Sequence, residues 1–150
     1  MSTWQLAQLN LAKMNYPVDA PEMTDFVANL DRINALAEEA PGFVWRLQTE
    51  DGDATGIDFF GADWLVNMSV WKDVEALHNY VYRSVHAEFL GRRKEWFARV
   101  EEAYVVLWWV PEGAIPSLQE SKARMERLRE AGPTGQAFTF KNPFPPPSAV

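Results

Sequence analysis

The spacing of apolar side chains switches between strand-like and helix-like periods along this chain, and the order of the switches limits the folds it can adopt. Residues 3–11 alternate apolar and polar side chains, which predicts a strand. Residues 22–40 place apolar side chains at three- and four-residue steps, which predicts a helix. Residues 43–50 and 64–72 again have strand character, with an Asp- and Gly-rich loop between them. The first half therefore has the order strand, helix, strand, strand.

The second half continues with a helix and a strand. Asp73 is a predicted N-cap, and we expect helical structure, capped or bent at Ser84, to continue as far as Phe97 or Val100. Residues 103–111 are apolar on both faces, which favours a central strand.

A third helix is predicted over residues 117–132. Ser117 is its expected N-cap, Glu120 completes a capping box, and Gly132 ends it. Residues 136–140 predict a short fifth strand, and a proline-rich tail follows.

The β-α-β-β-α-β order predicts an α+β fold, the ferredoxin-like plait, with a four-stranded antiparallel sheet and two helices on one face. We expect residues 1–113 to form this domain, and residues 114–150 to pack on it as a C-terminal helix, short strand and Pro-rich tail. The sheet's other face would be bare in a chain with seven Trp, nine Phe and four Tyr. A second copy of the chain is the simplest cover, so a homodimer is expected.

Composition excludes several classes of function. The net charge of −7 repels phosphate backbones and anionic lipids, so neither nucleic acid nor a membrane is expected as a partner. The absence of cysteine excludes disulfides, thiolate catalysis and cysteine metal sites. Residues 1–15 lack the basic start and apolar run of a signal peptide, and no apolar stretch is long enough to span a membrane. A cytoplasmic protein is expected.

Four stretches between residues 64 and 146 carry a family resemblance: NMSVW, YVYRSVHAEFLGRRKEWF, VLWWVPEGAIPS and GPTGQAFTFKNPFP. In them the chain resembles a bacterial family of unknown function within the dimeric α/β-barrel superfamily. That superfamily includes antibiotic-biosynthesis and haem-degrading monooxygenases. The resemblance implies a dimeric α/β barrel and makes cofactor-free oxygenation a candidate activity. A shared fold does not by itself carry a function.

The third predicted strand carries the first candidate site residues. Asn67, Ser69 and Trp71 share one face, where Asn67 could donate to a developing oxyanion and Trp71 could stack on a planar substrate. The alternative is that Asn67 and Ser69 pair across the sheet or a dimer interface. The superfamily's cofactor-independent oxygenases resemble this chain in placing an Asn and a Trp four residues apart on this strand, so the resemblance implies a site at Asn67 and Trp71, and the two interpretations of Asn67 both stay open.

The second predicted helix carries the other candidates. Tyr82, His86, Phe89, Arg93 and Phe97 follow one another at steps of three or four, so one unbroken helix would align them. His86 could act as a general base, or could be a structural histidine bonded to a carbonyl. Arg93 could face a polar cavity, pair with a carboxylate, or extend to solvent.

Metal and cofactor signals are weak. His78 and His86 are too few for a metal site without further ligands, although haem needs only one axial histidine and remains an alternative. The predicted loop lacks the ligand order of a calcium site despite four aspartates, Asp51, Asp53, Asp58 and Asp63.

Two hypotheses follow. The first is a small-molecule enzyme of secondary metabolism, without a cofactor, that oxygenates, cyclises or isomerises a hydrophobic aromatic or polyketide-like substrate. Its catalytic residues would be Asn67, His86 and Arg93, and its substrate would contact Trp4, Trp71, His78, Tyr82, Phe89 and Trp108. The second is a non-catalytic ligand-binding or structural dimeric module.

Overall fold

A computed structural model describes residues 4–17, 19–47, 64–83, 92–98 and 103–147. Its strands are β1 (Trp4–Lys13), β2 (Phe43–Arg46), β3 (Trp64–Trp71) and β4 (Val105–Pro111). Its α-helices are α1 (Thr24–Glu39), α2 (Val74–Arg83) and α3 (Leu118–Ala131), with short 3-10 turns at Pro21–Met23 and Arg93–Glu95. The predicted α+β class and the order of the main elements are confirmed. None of the three described helices combines the length and apolarity needed to cross a membrane.

The four strands form one antiparallel sheet in the order β2-β3-β1-β4. The prediction that residues 103–111 form a central strand is wrong, because β4 lies at the edge of the sheet. Its backbone at Leu107 exchanges two hydrogen bonds with Phe138, at 2.8 and 2.9 Å. This isolated bridge replaces the predicted fifth strand over residues 136–140. The edge strand is apolar on both faces because other segments of the same chain cover it.

The predicted caps of α2 and α3 are confirmed. Asp73 Oδ1 accepts a hydrogen bond from Ala76 N at 2.8 Å, and Ser117 Oγ accepts one from Glu120 N at 3.0 Å. Gly132 ends α3 with φ +75°, a conformation that side-chain-bearing residues rarely adopt. The Glu120 carboxylate accepts a hydrogen bond from Trp108 Nε1 at 2.7 Å, so this residue also joins α3 to the sheet.

The two faces of the sheet bury separate apolar clusters. The face toward α1 and α2, here called the cavity face, contributes Leu6, Trp71 and Leu107 to a cluster with Ala37 and Leu77. The opposite face contributes a second cluster that includes Ala7, Leu9, Val66, Met68, Val70, Val106, Trp108 and Val110.

Helix α3 covers the opposite face of the sheet with Met125 and Leu128, which belong to the second cluster. The strand residues of that cluster are no more than 3 % exposed within the single chain. The bare face that motivated the expected homodimer is therefore already buried, and the homodimer itself stays a prediction.

Residues 92–98 do not continue the long helix that the sequence predicts here. Residues Arg93–Glu95 form a 3-10 turn, and Phe97 makes an antiparallel bridge with Met14. Ala98 N donates to Lys13 O at 2.8 Å, so the chain here runs along the end of β1. The prediction of a helix reaching Phe97 or Val100 is wrong. The five-residue stripe from Tyr82 to Phe97 consequently does not lie on one helix.

Candidate functional site

A cavity of about 240 Å³ lies between the cavity face of the sheet and helices α1 and α2. Its apolar walls include Phe26, Leu30, Ile33, Ala37, Leu77 and Val81. An apolar cavity of about 150 Å³ admits benzene, and typical ligand sites begin near 300 Å³. The volume therefore suits a ligand of one or two fused rings.

Three polar side chains form a row across the sheet beneath this cavity. Gln8 on β1 is paired directly with Ser69 on β3, and Ser69 is paired with Arg46 on β2. Directly paired residues of antiparallel strands project from the same face. All three line the cavity, so the pairing register alone gathers them at one place.

Hydrogen bonds tie this row to its neighbours along β3. Gln8 Nε2 donates to Asn67 Oδ1 at 2.6 Å and to Ser69 Oγ at 2.8 Å. Trp71 Nε1 also donates to Ser69 Oγ, at 2.8 Å. Because the Asn67 carbonyl accepts from Gln8, its Nδ2 is the group that can donate to a ligand. Asn67 is exposed at the cavity, as such a donor requires.

The Trp71 ring is held between two aromatic neighbours. Tyr80 of α2 stacks on it with ring centroids 5.2 Å apart, and Phe43 meets it edge-on at 5.5 Å. Tyr80 Oη donates to the Ile33 carbonyl of α1 at 2.8 Å. Burial raises the pKa of Tyr80 far above its ordinary value, and the nearby Arg46 charge opposes part of that rise. Tyr80 therefore remains a protonated hydroxyl at neutral pH and does not act as a base.

Arg46 brings a positive charge to the cavity wall. Its Nε and Nη2 both lie 2.8 Å from Glu38 Oε1. The Arg46 side chain is 13 % exposed, whereas that of Glu38 is 48 % exposed. The carboxylate thus approaches from the solvent side while the guanidinium lies largely inside.

An aromatic group closes one end of the cavity. Phe26 of α1 lies 5.5 Å from Trp96 and 5.2 Å from Phe97, measured between ring centroids. Arg92 stacks over Trp96 at 4.7 Å and its Nη2 lies 3.1 Å from Asp25 Oδ2. These contacts hold residues 92–98 against α1.

The structure brings together only part of the predicted site. Asn67, Trp71 and Tyr82 line the cavity. Tyr82 is 47 % exposed, and its ring lies 4.6 Å from the exposed His78. Phe140 also contacts both rings, so these residues form an outer aromatic rim.

The remaining predicted residues lie elsewhere or outside the described residues. Trp108 packs on the opposite face of the sheet, and Trp4 at the start of β1 is not among the cavity-lining residues. His86 and Phe89 lie outside the described residues, as does the side chain of Arg93. Their proposed roles stay predictions.

Sequence reasoning missed Gln8, Arg46 and Tyr80 as site residues. Gln8 follows Leu6 at the strand period of two, so a polar residue at a core-facing position was a detectable signal. Arg46 and Tyr80 become meaningful only when the strand register and the packing of α2 are known.

Metal ligation finds no support in the described residues, which contain no group of three or more His, Asp or Glu side chains placed to hold an ion.

Comparison with models of protein families shows to which family the chain belongs. The model of a family described as a domain of unknown function (DUF3291) matches residues 5–150. The chain belongs to the DUF3291 family. The expected membership of a family of unknown function is confirmed.

Two solved structures resemble the DUF3291 protein. One is a variant of SnoaB, a cofactor-independent oxygenase from Streptomyces nogalater, with 16 % identity, a TM-score of 0.44, and coverage of 76 % of this chain and 96 % of that one. The other is a protein of unknown function from Nitrosomonas europaea, with 13 % identity, a TM-score of 0.46, and coverage of 77 % and 95 %. Similarity at this level does not transfer a function. Comparison with curated protein sequences finds no significant match.

Proposed function

We propose that this DUF3291 protein is a small-molecule enzyme that binds a flat, hydrophobic substrate between the sheet and helices α1 and α2. One observation carries the proposal: a row of polar side chains, Gln8, Ser69 and Arg46, crosses the floor of a cavity whose walls are largely aromatic and aliphatic. Such cavities with a few convergent polar groups are typical of substrate sites. The volume of about 240 Å³ supports a substrate of one or two rings rather than a larger polyketide.

The proposed chemistry passes through a substrate anion. The substrate loses a proton next to a carbonyl group, and Asn67 Nδ2 donates to the oxygen that gains negative charge. Trp71, held by Ser69 and Tyr80, packs against the substrate ring. His86 remains the proposed base and Arg93 a second anion-stabilising group, as the sequence suggested.

Two outcomes are open to such an anion. In oxygenation, the carbanion of a CH₂ group reduces O₂ to a hydroperoxide, which loses water to leave a ketone. One oxygen atom enters the product and the other leaves as water, so no external reductant is needed. In isomerisation, the proton returns to a different carbon. Neither outcome requires a cofactor.

The proposed architecture of the single chain is the ferredoxin-like plait, the protomer fold of dimeric α/β barrels. The sheet order β2-β3-β1-β4 and the two helices on the cavity face support the plait. We also propose that residues 114–150 belong to the same domain, which the packing of Met125 and Leu128 on the sheet supports. The homodimer and the cytoplasmic location are also part of the proposal.

Proton abstraction can be tested with 2-tetralone, a two-ring enolisable ketone. NMR in D₂O would measure deuterium exchange at its acidic CH₂ group, and an oxygen electrode would measure O₂ uptake. Asn67→Ala should lower the catalysed exchange about 10²- to 10³-fold, as for other oxyanion donors. Gln119→Ala, at an exposed position of α3, is the control. If the Asn67→Ala variant catalysed the exchange at the full rate, Asn67 would not be the oxyanion donor.

A non-catalytic binding module is the second candidate. Hydrogen bonds join Gln8, Asn67, Ser69 and Trp71 without a ligand, as in a structural polar cluster. Native mass spectrometry of the purified protein separates the two. A retained one- or two-ring compound that the protein never converts would favour the binding module.

A further inference from the structure

Arg46 is positioned for recognition rather than for solvation. Its pairing with Ser69 directs the side chain to the cavity face, and only 13 % of the side chain is exposed. A largely buried cation is costly unless it is paired, so its partners define what the cavity can hold.

The pairing of Arg46 with Glu38 is one-sided. Nε and Nη2 both lie 2.8 Å from the same oxygen, Glu38 Oε1. A guanidinium carries five N–H donors in a planar fork with two edges that can each hold a carboxylate. Glu38 occupies the edge formed by Nε and Nη2. The edge formed by Nη1 and Nη2 has no hydrogen-bond acceptor among the described residues.

Among the residues that the structure describes, none brings a competing anion into the cavity beside Arg46. Its described lining contains no aspartate or glutamate. Tyr80, which is close enough for the Arg46 charge to affect its phenol, donates its hydroxyl to the Ile33 carbonyl. A ligand that brings a planar anion would therefore complete the site.

We propose that Arg46 makes this cavity selective for a one- or two-ring aromatic carboxylate, whose two oxygens bind the open Nη1–Nη2 edge. The inference rests on the proposed function only in taking this cavity as the ligand site. The ring lies along Trp71 and the aliphatic wall, and Asn67 is left to act on a second polar group of the ligand.

Isothermal titration calorimetry of the full chain at pH 7 tests the proposal with matched probes. The probes are 2-naphthoate, its neutral isostere naphthalene-2-carboxamide, and the three-ring anthracene-2-carboxylate. We expect 2-naphthoate to bind at least tenfold more tightly than the carboxamide. The three-ring acid should bind more weakly because its third ring would crowd a cavity of about 240 Å³.

Two substitutions assign that preference to one side chain. Arg46→Gln should weaken 2-naphthoate binding about ten- to one-hundred-fold, the cost of losing charge-assisted hydrogen bonds, and should weaken carboxamide binding far less. Glu38→Gln removes the competing charge and should strengthen 2-naphthoate binding. Arg46→Lys keeps the positive charge but loses the planar guanidinium, so it should bind 2-naphthoate with intermediate affinity. Thermal unfolding shows whether each variant is folded.

Equal affinity for acid and amide, an acid preference that survives Arg46→Gln, or no binding of either probe would overturn the proposal. These outcomes are distinct from failure of the proposed function. A chain that binds 2-naphthoate through Arg46 but catalyses no exchange of 2-tetralone would refute the enzyme and retain the carboxylate site. Catalysed exchange of 2-tetralone without a preference for the acid would retain the enzyme and refute the carboxylate site.

Discussion

Gln8 on β1 and Ser69 on β3 are direct partners across the sheet, and Gln8 Nε2 donates to Ser69 Oγ at 2.8 Å where both side chains are buried. The same nitrogen reaches Asn67, and Ser69 also accepts from Trp71. Gln8 thus fixes the donor orientation of Asn67, although it need not touch the substrate itself.

Gln8→Leu should destabilise the fold by about 1–3 kcal/mol because it leaves buried polar groups without a partner. Chemical denaturation measures the change in unfolding free energy. A double-mutant cycle with Ser69→Ala should give a coupling of about 0.5–3 kcal/mol. Gln119→Leu at the exposed surface of α3 is the control. Additive effects of Gln8→Leu and Ser69→Ala would show that the hydrogen bond contributes nothing.

Glu120→Leu should cost about 1–3 kcal/mol, since Trp108 Nε1 is buried and would lose its acceptor. Glu120→Gln retains an acceptor oxygen and should cost much less. Glu126→Gln on an exposed part of α3 controls for the loss of a carboxylate from the helix. If denaturation showed the Leu and Gln variants to be equally unstable, the Trp108 hydrogen bond would not be the cause.

Gly42→Ala should destabilise the chain by about 2–5 kcal/mol, combining backbone strain with overpacking. Gly42 has φ +85°, and an added Cβ would lie 2.5 Å from Ala76 Cβ at the start of α2. Adding Ala76→Gly should relieve the clash but not the strain. Gly135→Ala is the matched control, because its new Cβ would make an ordinary contact. A Gly42→Ala protein with unchanged unfolding free energy would show that β2 and α2 can separate freely.

Tyr80 should make stability fall in strong alkali. Its pKa is raised in the folded protein by burial, so above about pH 10 the unfolded chain loses the phenol proton while the folded chain keeps it. The contribution of Tyr80 to the free energy of unfolding is complete below pH 10 and declines above it, by up to about 1.4 kcal/mol per pH unit. Tyr80→Phe should remove this part of the decline. Parallel pH profiles of the two proteins between pH 9 and 11 would contradict the assignment.

Trp96→Ala should cost about 3–5 kcal/mol because Trp96 is fully buried against Phe26. It should also open the end of the cavity and weaken ligand binding. Among the described residues, Arg92→Gln disrupts exposed ion pairs and a ring contact, and its effect on stability should be far smaller. Chemical denaturation measures the stability of both variants, and calorimetry measures their ligand binding. A larger loss of stability from Arg92→Gln than from Trp96→Ala would contradict the assignment of the main contribution to Trp96.

Local signals predicted local structure well. Asp73 and Ser117 were recognised as caps because a cap and the amide it binds lie three residues apart in the sequence. The α+β class followed from the order of periodic segments. By contrast, the bond between Glu120 and Trp108 depends on packing between a helix and a strand, which no local pattern contains.

The sequence predicts only part of the candidate site. Asn67 and Trp71 share one strand, so their common face followed from the period of two. Gln8 and Arg46 reach the same cavity only through the pairing register of three strands, which a single sequence does not specify. The apolar faces of β4 do not specify a central strand, because α3 and Phe138 cover this edge strand instead.

The cover that α3 gives to the sheet has a consequence for synthesis of the protein. Domains generally fold as units during translation, once the segments that complete their core have emerged. Here Met125, Leu128 and Ala137 complete the cluster under the second face, and Phe138 closes the edge of β4. While those residues are still inside the ribosome, β1, β3 and β4 would present an uncovered apolar surface. A nascent chain that stalls when β4 has emerged from the ribosome should therefore recruit chaperones. A nascent chain from which Phe138 has also emerged should not.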